Sequence, residues 1–162
     1  MAEAALLPEP TTTQIGAIGE CLVAAAILEA SGGRLSPFKP VADDDGMDLL
    51  LFDKQTRKAI PLQIKCRRAF DNEKAKTVEF DIRLKTFARK GDGYVLCVKL
   101  AGASIETAWL IPAGELEGVA RQSSTDFIVV ASAKPTSKDR FSRYRASSFG
   151  EIPARILAPR AG

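Results

Sequence analysis

The sequence predicts a single α/β domain, a mixed central β-sheet flanked by helices. Three observations carry this. A long apolar stretch with helical spacing follows a capping signal near the N-terminus. Two apolar runs, 48–53 and 60–65, are separated by a polar turn and read as a hairpin. Beyond them, runs at 77–87, 94–100, 107–111 and 127–131 read as further strands, with one short helix among them. A chain of 162 residues suits one domain with a real core.

Residues 1–10 are small, apolar and proline-containing and are expected to be loose, which leaves 11–162 as the domain. Thr11 and Gln14 make a capping box, with Gln14 at the third helical position. The helix runs to about Ala30 and stops at Ser31-Gly32-Gly33. It is apolar almost all round, which predicts burial. Glu20 is the only charge in its first four turns. A buried carboxylate needs a partner or a metal; the alternative is a helix-start glutamate that reaches solvent.

Residues 34–41 fit an edge strand interrupted by Pro37 and Pro40. Asp43-Asp44-Asp45-Gly46 is a turn, without the downstream glutamate of a calcium loop. In the hairpin, centring the turn on Gln55 and Thr56 pairs Phe52 with Ala59, Leu50 with Pro61 and Asp48 with Gln63. Side chains alternate between faces. Leu49, Leu51, Leu62 and Ile64 then share a core face, and Asp48, Gln63 and Lys65 share the other. Gln63 and Lys65 stand about 6.6 Å apart along the strand. A carboxylate, an amide and an ammonium thus meet at one hairpin end, a place for a metal ion and a phosphate, although strand-end charges are commonly just solvated.

Residues 66–76 form a charged connection, and 77–87 a half-exposed strand with Val78, Phe80, Ile82 and Leu84 inward. Gly91-Asp92-Gly93 is a tight turn. Pro112 opens a short helix through about Gln122. Residues 134–145 interleave Lys138, Arg140, Arg143 and Arg145 with Phe141 and Tyr144. This fits a nucleic-acid contact with phosphate-binding cations and stacking rings, or a solvated loop whose aromatics dock on the core. The last residues, with Pro153 and Pro159, read as irregular.

Composition narrows the chemistry. No run reads as long and apolar enough to span a membrane, and no basic stretch followed by an apolar core marks a secretory signal. A cytoplasmic protein is expected. Cys21, Cys66 and Cys97 are odd in number, far apart and without a Cys-x-x-Cys pair, so free buried thiols are expected. The chain has no histidine, which excludes Ser-His-Asp and Cys-His catalysis and histidine-held metals. Catalysis must use carboxylates, lysine or an oxygen-held metal. Net charge is only +3 but segregated. Residues 1–53 carry nine acidic and two basic side chains, and residues 54–100 thirteen basic and five acidic. An acidic site beside a basic surface suits a polyanionic partner.

The order Glu20 on a helix, Asp48 opening a strand and Gln63-Ile64-Lys65 on the next resembles the PD-(D/E)XK nuclease superfamily. Gly16-Ala17-Ile18-Gly19-Glu20, Asp45-Gly46-Met47-Asp48 and Gln63-Ile64-Lys65-Cys66-Arg67 are similar to its Holliday-junction-resolvase-like and Mrr-like branches, which include members with Gln-x-Lys. The resemblance covers roughly residues 14 to 68. It implies a restriction-endonuclease-like core with extra C-terminal strands and a magnesium- or manganese-dependent endonuclease acting on DNA. Glu20, Asp48, Gln63 and Lys65 would be its catalytic residues. The chemistry agrees: Asp48 and the Gln63 oxygen can hold Mg²⁺, with Glu20 as a further ligand. Lys65 can stabilise developing negative charge. Arg67 and Arg68 continue toward a bound backbone, although adjacent residues cannot both face it. A homodimer is among the assemblies admitted. Two departures, neutral Gln63 and ladder-breaking Pro61, keep a non-cleaving nucleic-acid-binding or protein-interaction module as the alternative.

Overall fold

A computed structural model describes residues 8–42, 46–68, 77–87 and 93–159. The expected turn residues 43–45 and 91–92 and the connection 69–76 lie outside them.

Helix α1 (Thr12–Ala30) starts as expected. The Thr11 side chain accepts from the Gln14 N–H, and Gln14 Oε1 accepts from the Thr11 N–H. Ser31 caps its end, and Gly32 and Gly33 follow at positive φ. Five strands form the main sheet, in spatial order β1-β2-β3-β5-β6. They are β1 (Leu35–Phe38), β2 (Leu49–Asp53), β3 (Ala59–Arg68), β5 (Tyr94–Ala101) and β6 (Ser104–Pro112). Only the β3–β5 pair is parallel, so the sheet is mixed. Strands β4 (Thr77–Arg83), β7 (Arg121–Gln122) and β8 (Asp126–Ser132) make a second sheet in the order β4-β8-β7.

The hairpin register is the expected one, with Phe52 opposite Ala59 and Leu50 opposite Pro61. Leu49, Leu51, Leu62 and Ile64 are buried in a core shared with Val23 and Ile27 of α1 and Ile152 and Ile156 of α3 (Glu151–Leu157). Fully burying Val23 and Ile27 contributes roughly 1.5–3 kcal/mol each. The opposite face of β5 and β6, with Val95, Cys97, Trp109 and Ile111, packs on Phe80, Phe127 and Val129 of the second sheet. Helices α1 and α3 therefore cover one face of the main sheet, and the second sheet covers much of the other. Pro61 falls just before β3 begins to pair with β5, so it removes no donor from that ladder.

Several expectations are corrected. By length and composition α1 could cross a membrane, contrary to the sequence reading, but here it is a core helix seated on the sheet. It is not buried all round: only Gly19, Val23 and Ile27 are buried, and Ala17, Cys21, Ala25 and Leu28 are exposed. The thiols divide likewise, Cys21 exposed, Cys66 half-buried and Cys97 buried. Strand β4 ends at Arg83. Helix α2 (Ala113–Val119) takes Pro112 as its N-cap and stops early, because Arg121 and Gln122 pair with β8. The C-terminal residues are not irregular. Pro153 sits in the first turn of α3, where a missing N–H removes no helical bond, and Ile152, Pro153 and Ile156 are buried.

Candidate active site

The site forms where β2 begins and β3 continues past it. β2 pairs with β3 only as far as Leu49 and Leu62. Beyond that the Asp48 N–H donates to the Leu62 carbonyl at 3.0 Å, and the Asp48 carboxylate accepts from the Ile64 N–H at 2.5 Å. The carboxylate thus sits against the backbone between Gln63 and Lys65. Those two side chains leave β3 on the same face, beside Val95 and Cys97 of β5. Gln63 is buried, and its Nε2 lies toward Gly46. Gly46 has φ 65°, and a Cβ there would stand 2.1 Å from the Thr86 carbonyl oxygen. Only glycine fits at position 46 between Gln63 and Thr86. Gly46, Met47, Gln63 and Phe87 line a small cleft of about 30 Å³, room for about one water.

Glu20 arrives from the other layer through the close approach of α1 to β3. A Cβ on Gly19 would lie 2.0 Å from Cys66 Sγ, so only glycine permits the contact. Gly16, one turn earlier, faces open space. Glu20 is half-buried and accepts from Lys39 Nζ at 2.6 Å. Lys39 follows directly on β1, and the fields of both Glu20 and Asp48 raise its pKa, the Glu20 hydrogen bond most of all. The Cys66 thiol is pushed up to about 12, first by burial and then by Glu20 and Asp48. Both carboxylates are therefore felt at one sulfur and one ammonium. Among the described residues no three His, Cys, Asp or Glu side chains gather into a metal-binding group. Gln63 carries an amide oxygen, a hard if neutral donor of the kind that suits a cation such as Mg²⁺.

Sequence reasoning missed Lys39 and the role of Gly19. The signal for Lys39 was present, since it is one of two cations in the acidic first 53 residues.

The other expected contacts are placed differently. Arg67 donates to Asp81 at 3.0 Å and to the Glu79 carbonyl; Arg68 donates to Glu9 at 2.9 Å. These partly exposed pairs are worth about 0.2–1 kcal/mol, little enough for a phosphate to replace. In the 134–145 segment, Phe141 and Tyr144 are buried, so neither ring offers a face for stacking. Both aromatics dock on the core of the second sheet. Arg145 donates to the carbonyls of Ser132, Lys134 and Pro135 and holds that loop. Arg143 donates to Glu115 and to the Tyr144 hydroxyl. Lys138 and Arg140 are exposed. Arg145 bridges to Trp109 on β6, three strand spacings from Lys65 or about 14 Å.

The mixed five-stranded sheet, the second sheet and the helix packed on β3 make a restriction-endonuclease-like fold. The chain is similar in structure to a bacterial homing endonuclease, I-Ssp6803I, with a TM-score of 0.58, 20% identity, and 91% of this chain and 94% of that one covered. It also aligns with Hjc, a Holliday junction resolvase from Archaeoglobus fulgidus, with a TM-score of 0.46, 12% identity, and 75% and 91% covered. No protein-family model and no curated sequence matches it.

Proposed function

We propose that this protein is a metal-dependent nuclease that hydrolyses phosphodiester bonds, with DNA as its substrate. The observation that carries the reading is the Asp48 carboxylate held at the Ile64 N–H, between Gln63 and Lys65; Glu20 stands on the helix that packs on β3 through the Gly19–Cys66 contact. Asp48, the Gln63 oxygen and Glu20 would hold Mg²⁺ or Mn²⁺. Bound there, the ion would neutralise phosphate charge and lower the pKa of a water nucleophile. Lys65 places an ammonium on the same face as Gln63, where it can stabilise charge developing on the phosphate oxygens. Arg67, one alternation further along that face, can exchange Asp81 for a backbone phosphate.

The test is cleavage of linear, branched and single-stranded DNA with Mg²⁺ or Mn²⁺ and with EDTA. Asp48→Ala and Lys65→Ala should each lower the rate by about a hundredfold or more with the fold intact. Wild-type protein that cuts none of these substrates with either metal would refute the reading.

One observation favours a second reading, a module that binds nucleic acid without cutting. Lys39 already neutralises Glu20, and Gln63 contributes no charge, so the site is nearly balanced without a metal. Salt-dependent DNA binding that is indifferent to EDTA would mark this case.

A further inference from the structure

The register of β1, β2 and β3 builds a surface that neither the charge map nor the motif identifies. On the face shared with Gln63 and Lys65, Phe38, Leu50 and Pro61 lie side by side in one row. Ser36, Phe52 and Ala59 form the next row toward the hairpin turn. None of these six is buried, and Phe38 is 56% exposed. None is acidic, because Asp53 turns to the opposite face and pairs with Arg34. At the turn stand exposed Lys54, Arg57 and Lys58. The Arg57 guanidinium lies 5.2 Å from the centre of the Phe52 ring. Arg57 also has φ 62°, the only non-glycine at positive φ among the described residues. Glycine or asparagine usually fills such a position, so the chain keeps an arginine where its backbone resists one.

The rows lead into the site. Asp48 stands two residues before Leu50, just ahead of β2, so the Phe38–Leu50 row is the one that borders it. An exposed ring, Phe38, beside a half-buried one, Phe52, flanked by cations and without acids between, matches bases that can stack and phosphates that need neutralising. A closed duplex offers phosphates but hides its base faces.

We propose that this face binds an unpaired segment of nucleic acid, with bases on Phe38 and Phe52 and phosphates on Lys54, Arg57 and Lys58, and feeds it toward Asp48 and Lys65. This rests on the nuclease reading for its destination and sharpens the substrate to one with unpaired bases beside the cut. The track is read independently of cutting.

The experiment is fluorescence anisotropy in EDTA with a labelled oligo-dT strand and a duplex of equal length, using wild type, Phe38→Ala, Phe38→Trp and Arg57→Gly. Wild type should bind the single strand. Phe38→Ala should weaken that binding about fivefold or more and the duplex less, and Phe38→Trp should restore it. Arg57→Gly should raise the melting temperature, since glycine accepts the left-handed backbone, while weakening single-strand binding. A structural role would not produce those opposite signs. No single-strand binding by wild type, or Phe38→Ala and Arg57→Gly both within twofold of it, would overturn the proposal. Equal losses on strand and duplex would overturn it too. Cleavage that requires Asp48 and Lys65 but ignores Phe38 and Arg57 would overturn this proposal and leave the nuclease reading standing. Intact Phe38-dependent binding without cleavage would do the reverse.

Discussion

Two regions of this chain mix aromatic and basic residues, and the structure uses them in opposite ways. The C-terminal segment is the denser in sequence, with Phe141 and Tyr144 among Lys138, Arg140, Arg143 and Arg145. Its rings go inward and its arginines fasten loops. The β1–β2–β3 face is sparse in sequence, yet pairing brings Phe38 and Phe52 together outward beside three cations. Proximity along the chain says which groups are available. Register and docking say which reach solvent.

That contrast can be broken most severely at its buried end. Phe141→Ala should destabilise the fold by about 3–5 kcal/mol in urea unfolding, whereas Arg140→Ala should stay within about 0.5 kcal/mol. A small effect of Phe141→Ala would mean that the ring is not held in the core. In the site-bearing half, the sensitive position is a glycine. Gly19→Ala places a Cβ 2.0 Å from Cys66 Sγ and should cost up to about 3 kcal/mol. Cys66→Ala should recover part of that in the double variant, which a double-mutant cycle measures.

Electrostatic effects are smaller. Lys39→Met frees the Glu20 carboxylate and should raise divalent-cation affinity on the order of tenfold by calorimetry. Unchanged affinity would detach Glu20 from the metal. Replacing Lys54, Arg57 and Lys58 with Gln should flatten the salt dependence of single-strand binding by about 2 in log–log slope. Replacing Lys138 and Arg140 should change it less.

A last contrast is in pH. Asp53 accepts both arms of Arg34, at 2.9 and 2.8 Å, and the Thr56 hydroxyl at 2.7 Å. The Arg34 hydrogen bonds most of all hold its pKa well below the carboxylate range, against the opposing effect of burial. A depressed pKa stabilises the fold above the ordinary value and loses that contribution as pH falls through the folded value. Stability from Asp53 should therefore decline below about pH 4. Asp53→Asn should lower the urea midpoint at pH 7 and flatten its fall in acid.

The parts of this fold that local geometry decides were legible. Thr11 and Gln14 declared the helix start, and the leucine pattern of 49–64 fixed the register that puts Gln63 and Lys65 on one face. What lay hidden depends on partners distant in sequence. Arg121 and Gln122 read as helix because β8, which pulls them into a ladder, comes later in the chain. Pro153 read as a breaker because nothing local showed that it would fall in a first turn. Lys39 drew no reading because its partner, Glu20, stands 19 residues back across the helix–sheet seam.

The central claim is that Glu20, Asp48 and Gln63 form one cation site. Calorimetric titration of Mn²⁺ into wild type, Asp48→Ala and Gln63→Glu tests it most directly. The geometry predicts that Asp48→Ala loses binding and that Gln63→Glu, with a charged oxygen in place of an amide, binds more tightly than wild type. A folded Gln63→Glu protein that binds no metal would contradict the claim.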